Sequence, residues 1–248
     1  MKALVHIIIY GFAIFGGASF AYAGGSHDGH IQAEKTDKVL AEFDLIHTKV
    51  TTDKAHLVFQ QSVRGAAGAS SPKATGTLAG AKVYSYVWPT SLDSSAVGFD
   101  EKQGVLALAL TVHPDFDDTP LYDENGDGNL TNDGDLWHSH WVVLVPDNTC
   151  GESALKVKDI EKGAQPKLPK TWPKLPIFID SPGFDFSIKD SEVLVRVPLS
   201  AVGFPNDFSF DGVTAGLKVN QHVHAPLLCV NNVFDIASGD LSLPGKRQ

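Results

Sequence analysis

Histidines at alternate positions are the first feature of this chain with chemical consequence. His138 and His140 lie in Leu136-Trp137-His138-Ser139-His140-Trp141, and His222 and His224 repeat the spacing in Asn220-Gln221-His222-Val223-His224. On a β-strand, residues two apart share a face at about 7 Å between Cα atoms, so each pair turns two imidazoles to one side. His113 is a third source, on the same alternation as Ala107, Ala109 and Thr111, whose small side chains leave room beside its ring. Asp115 and Asp117 follow it as carboxylates suited to ligate an ion or to orient a ligand. Imidazole nitrogen suits zinc, copper and iron, whereas iron–sulfur chemistry needs more thiolates than two cysteines supply. The expectation is a copper or zinc ion held by three or four of His113, His138, His140, His222 and His224, with Asp115 as a further candidate ligand. The choice among these subsets stays open.

A second, harder site is written between His113 and His138. Asp123, Asn125, Asp127 and Asn129 place oxygen donors at every second residue, and Gly128 stands where a calcium loop turns sharply. Gly134 occupies the place of the usual closing glutamate, with Asp133 and Asp135 on either side as replacements. No amphipathic helix flanks the run, so the pattern predicts a structural calcium and not a helix–loop–helix sensor.

These groups must be carried by strands. Period-two alternation bounded by Gly, Pro, Asp, Asn and Ser recurs at Ala55 to Gln60, Lys82 to Trp88, Val105 to His113, Trp137 to Val145, Glu192 to Pro198, Val213 to His224 and Val230 to Ile236. The expected fold is all-β, an antiparallel β-sandwich-like domain with long loops and little helix, the one helical turn being placed near Leu155 to Glu161. Lys162 to Pro176 holds four prolines and should run extended over the surface, as a crossing within one domain. Trp137 and Trp141 flank the histidine pair on the opposite strand face, where they are expected as core anchors.

Residues 1–23 combine Lys2, an apolar run from Ala3 to Phe15 and a terminal Ala21-Tyr22-Ala23, the order of a secretory signal peptide. Residues 24–39 are expected as a flexible tail, with His27 and His30 touching metal only loosely, and residues 40–248 as a single metal-binding domain. The location so predicted is periplasmic or secreted, and no later stretch is long and apolar enough to span a bilayer. In that compartment Cys150 and Cys229 should form a disulfide. The net charge of −9 and the scattered Lys and Arg exclude a nucleic-acid partner. Met1 is the sole methionine, so a copper centre with an axial thioether is excluded once the signal peptide leaves. No Gly-x-Ser-x-Gly, phosphate loop or dinucleotide fingerprint is present.

An exported β-rich chain with a calcium-like loop, few thiols and the Trp137-His138-Ser139-His140-Trp141 cluster resembles the surface copper-binding proteins of methane-oxidising bacteria of the CorA/MopE type. That resemblance implies a copper site of two histidines and an oxidised tryptophan: Trp137 or Trp141, His138 or His140, and one histidine from elsewhere, such as His113 or His222. The string His138-Ser139-His140-Trp141 also looks like the His-x-His-Trp strand of α-type carbonic anhydrases, which implies a zinc-hydroxide hydratase; that family's third-ligand motif is not found around His222 or His224. Three functions follow: an exported metal-binding protein, a zinc-dependent hydrolase or lyase with a three-histidine site, and a calcium-stabilised carbohydrate- or surface-binding sandwich in which Trp88 or Trp172 stacks on sugar.

Overall fold

The computed structural model describes residues 26–73, 79–114, 128–129, 136–220 and 226–248. The strands run in chain order as β1 (Ser26–His27), β2 (His30–Gln32), β3 (Leu45–Asp53), β4 (His56–Val63), β5 (Lys82–Pro89), β6 (Val105–Val112), β7 (His138–Pro146) and β8 (Leu155–Val157). They continue as β9 (Ile179–Asp180), β10 (Phe186–Lys189), β11 (Glu192–Pro198), β12 (Ser209–Phe210), β13 (Val213–Val219), β14 (Leu228–Ile236) and β15 (Gly245–Lys246). Helix among the described residues is limited to 3₁₀ turns at Ser94–Val97 and Leu199–Val202. The all-β, antiparallel architecture is the one the alternation predicted.

One sheet is open, in the order β1-β2-β3-β4-β11-β10. A second runs β6-β5-β13-β14-β8-β7-β9, and because β6 also pairs with β7 it closes on itself as a barrel of β6, β5, β13, β14, β8 and β7, while β12 and β15 form a separate two-stranded sheet. Closure explains the residue sizes. A barrel with few strands has a narrow lumen, and the cluster that fills it is built from small and β-branched side chains, among them Ala107, Ala109, Val142, Val157, Ala215 and Val219. The opposite positions of the same strands carry the bulk: Tyr86, Trp88, Leu106, Leu108, Leu110 and Trp141 pack outward against Leu57, Phe59, Val193, Val195 and Val197 of the open sheet. The alternation of β6, Leu outward and Ala inward, thus records two different packing spaces.

The barrel's seam is weakest where β8 meets β14, a single register pair, Cys229 with Lys156. The Cys150–Cys229 disulfide spans that seam, with 5.5 Å between Cα atoms. Lys156 adds contacts of 2.9 Å to Asp147 and 2.8 Å to Asp159. Hydrogen bonds from the Thr149 hydroxyl, then from Lys156, hold the Asp147 carboxyl down at about 2.

Two expectations are corrected. The helical turn near Leu155 is strand β8, because Leu155 and Val157 complete the barrel beside β7 and tertiary pairing overrides local preference. The tail at 24–39 is held from Ser26 onward. Asp28 and Gly29 both take positive φ, 51° and 84°, in the tight turn that joins β1 to β2. Ile31, the large aliphatic residue in this polar run, is fully buried in the core, and Lys246 donates its amide to the Gly29 carbonyl at 2.7 Å. Lys162 to Pro176 does run without regular structure; it also covers the barrel, packing Trp172 and Leu175 against the inner cluster.

A candidate metal centre at the barrel mouth

β6 and β7 are antiparallel neighbours in a register that sets Ala109 opposite His140 and Thr111 opposite His138. His113 lies one residue beyond the end of β6. The three rings converge: His138 is 4.7 Å from His140 and 5.0 Å from His113 between centroids, each pair nearly perpendicular. One ligand atom from each lies within 4.8 Å of the others. His138 and His140 are 1% and 3% exposed, while His113 is half-buried and forms the open side. Ala109 and Thr111, the small residues on the face that carries His113, stand opposite His140 and His138.

The hydrogen bonds orient each ring for ligation. His138 Nδ1 is 2.7 Å from the Leu136 carbonyl, His113 Nδ1 is 3.0 Å from the Pro114 carbonyl, and His140 Nδ1 is 3.3 Å from the Asp180 carbonyl and 3.0 Å from Ser181 Oγ. A carbonyl only accepts, so in neutral His138 and His113 Nδ1 carries the hydrogen and the lone pair belongs to Nε2; at His140 the nearer partner is the Ser181 hydroxyl, which can donate or accept. Carbonyl-anchored imidazoles of this kind are the usual outer support of metal-bound histidine. Thr111 Oγ1, 3.4 Å from His138 Nε2, is a long and weak contact. Two nitrogens on one tetrahedral ion with bonds of 2.0–2.1 Å stand about 3.4 Å apart, so His113, His138 and His140, whose ligand atoms lie within 4.8 Å of one another, would hold an ion after at most a small closure. Three imidazoles with no thiolate fit zinc or copper, and leave room in the coordination sphere for water or substrate.

The thiols are removed as ligands by the disulfide, and no free cysteine is present among the described residues. His222, His224, Asp115, Asp123, Asn125, Asp127, Asp133 and Asp135 lie outside the described residues. Of the calcium-like loop only Gly128, at φ 86°, and exposed Asn129 are described. Trp141 turns away from the histidines into the core, 6.1 Å from the Phe59 ring, and Trp137 packs on Tyr86 at 5.3 Å. Both are anchors, and neither joins the three rings in the cluster. Trp88 is fully buried and so is not presented as a platform for sugar, whereas Trp172 is half-buried, with its indole N–H donating to the Ile177 carbonyl.

Sequence reasoning missed Ser181 and the Asp180 carbonyl. They reach His140 because the two-residue strand β9 pairs with β7, Asp180 opposite Trp141. A strand that short, 40 residues downstream of His140, carries no periodic signal. The Asp180 side chain accepts from the Thr171 hydroxyl at 2.6 Å, and burial lifts its carboxyl to about 6 from 3.8. The folded state therefore holds more protons than the unfolded between those values; the ionised form is penalised, and stability from this group is lost as pH rises through 6. Asp180→Asn should be near neutral at pH 4 and stabilise by about 1–3 kcal/mol at pH 8. Thermal midpoints of both proteins at the two pH values check this; an equal difference at both would contradict it.

The fold and the site together define an all-β protein whose closed barrel carries at its mouth a three-histidine group able to hold a metal ion. Comparison of the chain with protein-family models, with characterised proteins and with solved structures finds no match.

Proposed function

We propose that this chain is an exported metal-binding protein that holds one copper or zinc ion on His113, His138 and His140, for sequestration, delivery or sensing at the cell envelope. The observation that carries the proposal is the convergence of three imidazoles from two paired strands, each with Nδ1 at a backbone carbonyl. A disulfide fits an oxidising compartment, and no helix among the described residues is long and apolar enough to cross a membrane. The resemblance to the CorA/MopE-type copper proteins favours copper over zinc. The loop bearing Asp123, Asn125, Asp127, Asn129, Asp133 and Asp135 is proposed as a structural calcium site.

The test is elemental analysis of the protein purified from its own host, with and without His138→Ala. Copper at a stoichiometric level, lost in the variant while calcium stays, supports the proposal; calcium alone in the unaltered protein overturns it. A second reading draws on the same rings: three histidines and an open position are the composition of catalytic zinc sites, where bound water ionises near neutrality. Stoichiometric zinc together with hydratase or esterase activity, both lost in His138→Ala, would establish the enzyme in place of the copper carrier.

A further inference from the structure

A second pair of imidazoles lies on the far side of the molecule from the barrel mouth. His47 Nε2 and His30 Nδ1 are 2.9 Å apart, with ring centroids at 4.9 Å and planes inclined by 71°. The pair is built by the β2–β3 register, which sets Gln32 opposite His47 and Ile31 opposite Thr48. Ile31 and Thr48 are fully buried, so His30 and His47 occupy the alternate, outer positions, where both are partly exposed. The open sheet and the core beneath it thus separate this pair from His113, His138 and His140.

We propose that His30 and His47 form a second, separate binding site for a divalent transition-metal ion, copper(II) or zinc. The two nitrogens now share a hydrogen, so the ring that donates it must shift to its other tautomer and turn to offer a lone pair; two nitrogens bonded to one ion at about 2.0–2.1 Å and at right angles stand about 2.9 Å apart, so the rings need to turn but hardly to separate. Burial and the proximity of His30 lower the His47 pKa, so the unprotonated ring that ligation requires is favoured at neutral pH. The charges facing the pair are mixed. Lys49 opposes a cation, while Glu192, reached across the register His47 to Ser62 to Glu192, favours one and brings a carboxylate to the same outer surface. Glu192 is engaged with Gln60, so the two imidazoles are the core of the site and water completes the sphere. With two protein nitrogens in place of three, this site is the weaker of the two. The Cα partner of His30 across the β1–β2 turn is His27.

The experiment titrates copper(II) and zinc into the disulfide-bonded protein and into three variants, His138→Ala/His140→Ala, His30→Gln/His47→Gln and the fourfold combination of these. Binding of one weaker ion by the first variant, with an affinity at least about tenfold lower when His30 and His47 are also replaced, is the expected result; loss of an outer partner alone already costs that much at metal sites. Copper(II) in the first variant should also broaden the imidazole resonances of His30 and His47 before other signals. Unchanged resonances of these two rings, or unchanged second-site affinity after their replacement, overturns the proposal. A failure of the barrel-mouth centre would appear instead as no difference between the unaltered protein and the first variant, so the two outcomes are distinct.

Discussion

His140→Ala should remove the larger part of the stabilisation that bound copper or zinc confers on the folded chain, leaving only what the weaker His30–His47 pair supplies. An ion that binds only the folded state at a hundred times its dissociation constant contributes about 2.7 kcal/mol, which for a chain of this size raises the thermal midpoint by about 5–10 °C. The readout is the difference in midpoint with metal and with chelator, so the cost of the cavity beside Ala109 cancels within each protein. Ser181→Ala should keep a reduced shift, because the Asp180 carbonyl still holds His140 Nδ1; its metal affinity should fall by about 10- to 100-fold. A full metal-induced shift in His140→Ala would show that the ion binds without the β7 pair, and the centre as described would fail.

Opening the disulfide should be the largest single loss of stability. The bond links residues 79 apart in sequence, for which the chain-entropy model gives about 4 kcal/mol, and removal of a native bridge typically costs 2–5 kcal/mol. Cys150→Ser/Cys229→Ser should therefore lower the midpoint by about 5–15 °C. The effect has a place as well as a size. Because β8 meets β14 at one register pair, amide exchange should accelerate first at β8 and the start of β14, while β3 and β4, paired along their length, keep their protection. Uniform acceleration across the barrel and the open sheet would mean that the bridge acts only through the unfolded chain.

Local pattern made much of this molecule legible. Glu192–Pro198 has the boundaries that its alternation marks, and β5, β6 and β7 lie within a residue of theirs. The His138 and His140 pair shares a face because any regular strand would place it so, and the tryptophans beside it face the core for the same reason. The disulfide followed from an even pair of cysteines in a chain expected to be exported. Position 31 was harder: one isoleucine among Gly, His, Asp and Lys reads as tail, and only a core waiting beneath it turns His30–Gln32 into a strand.

What the amino-acid order determined by itself was therefore which residues alternate, and hence which imidazoles share a face. Tertiary structure alone decided which strands become neighbours: the pairing of β6 with β7 that closes the barrel and brings His113 to His138, and the pairing of β9 with β7 that carries Ser181 to His140. The physical reason is one of range. Side-chain direction along a strand is fixed by backbone geometry over two residues, whereas pairing between strands depends on burial and closure summed over the whole chain, and no short window of sequence contains it.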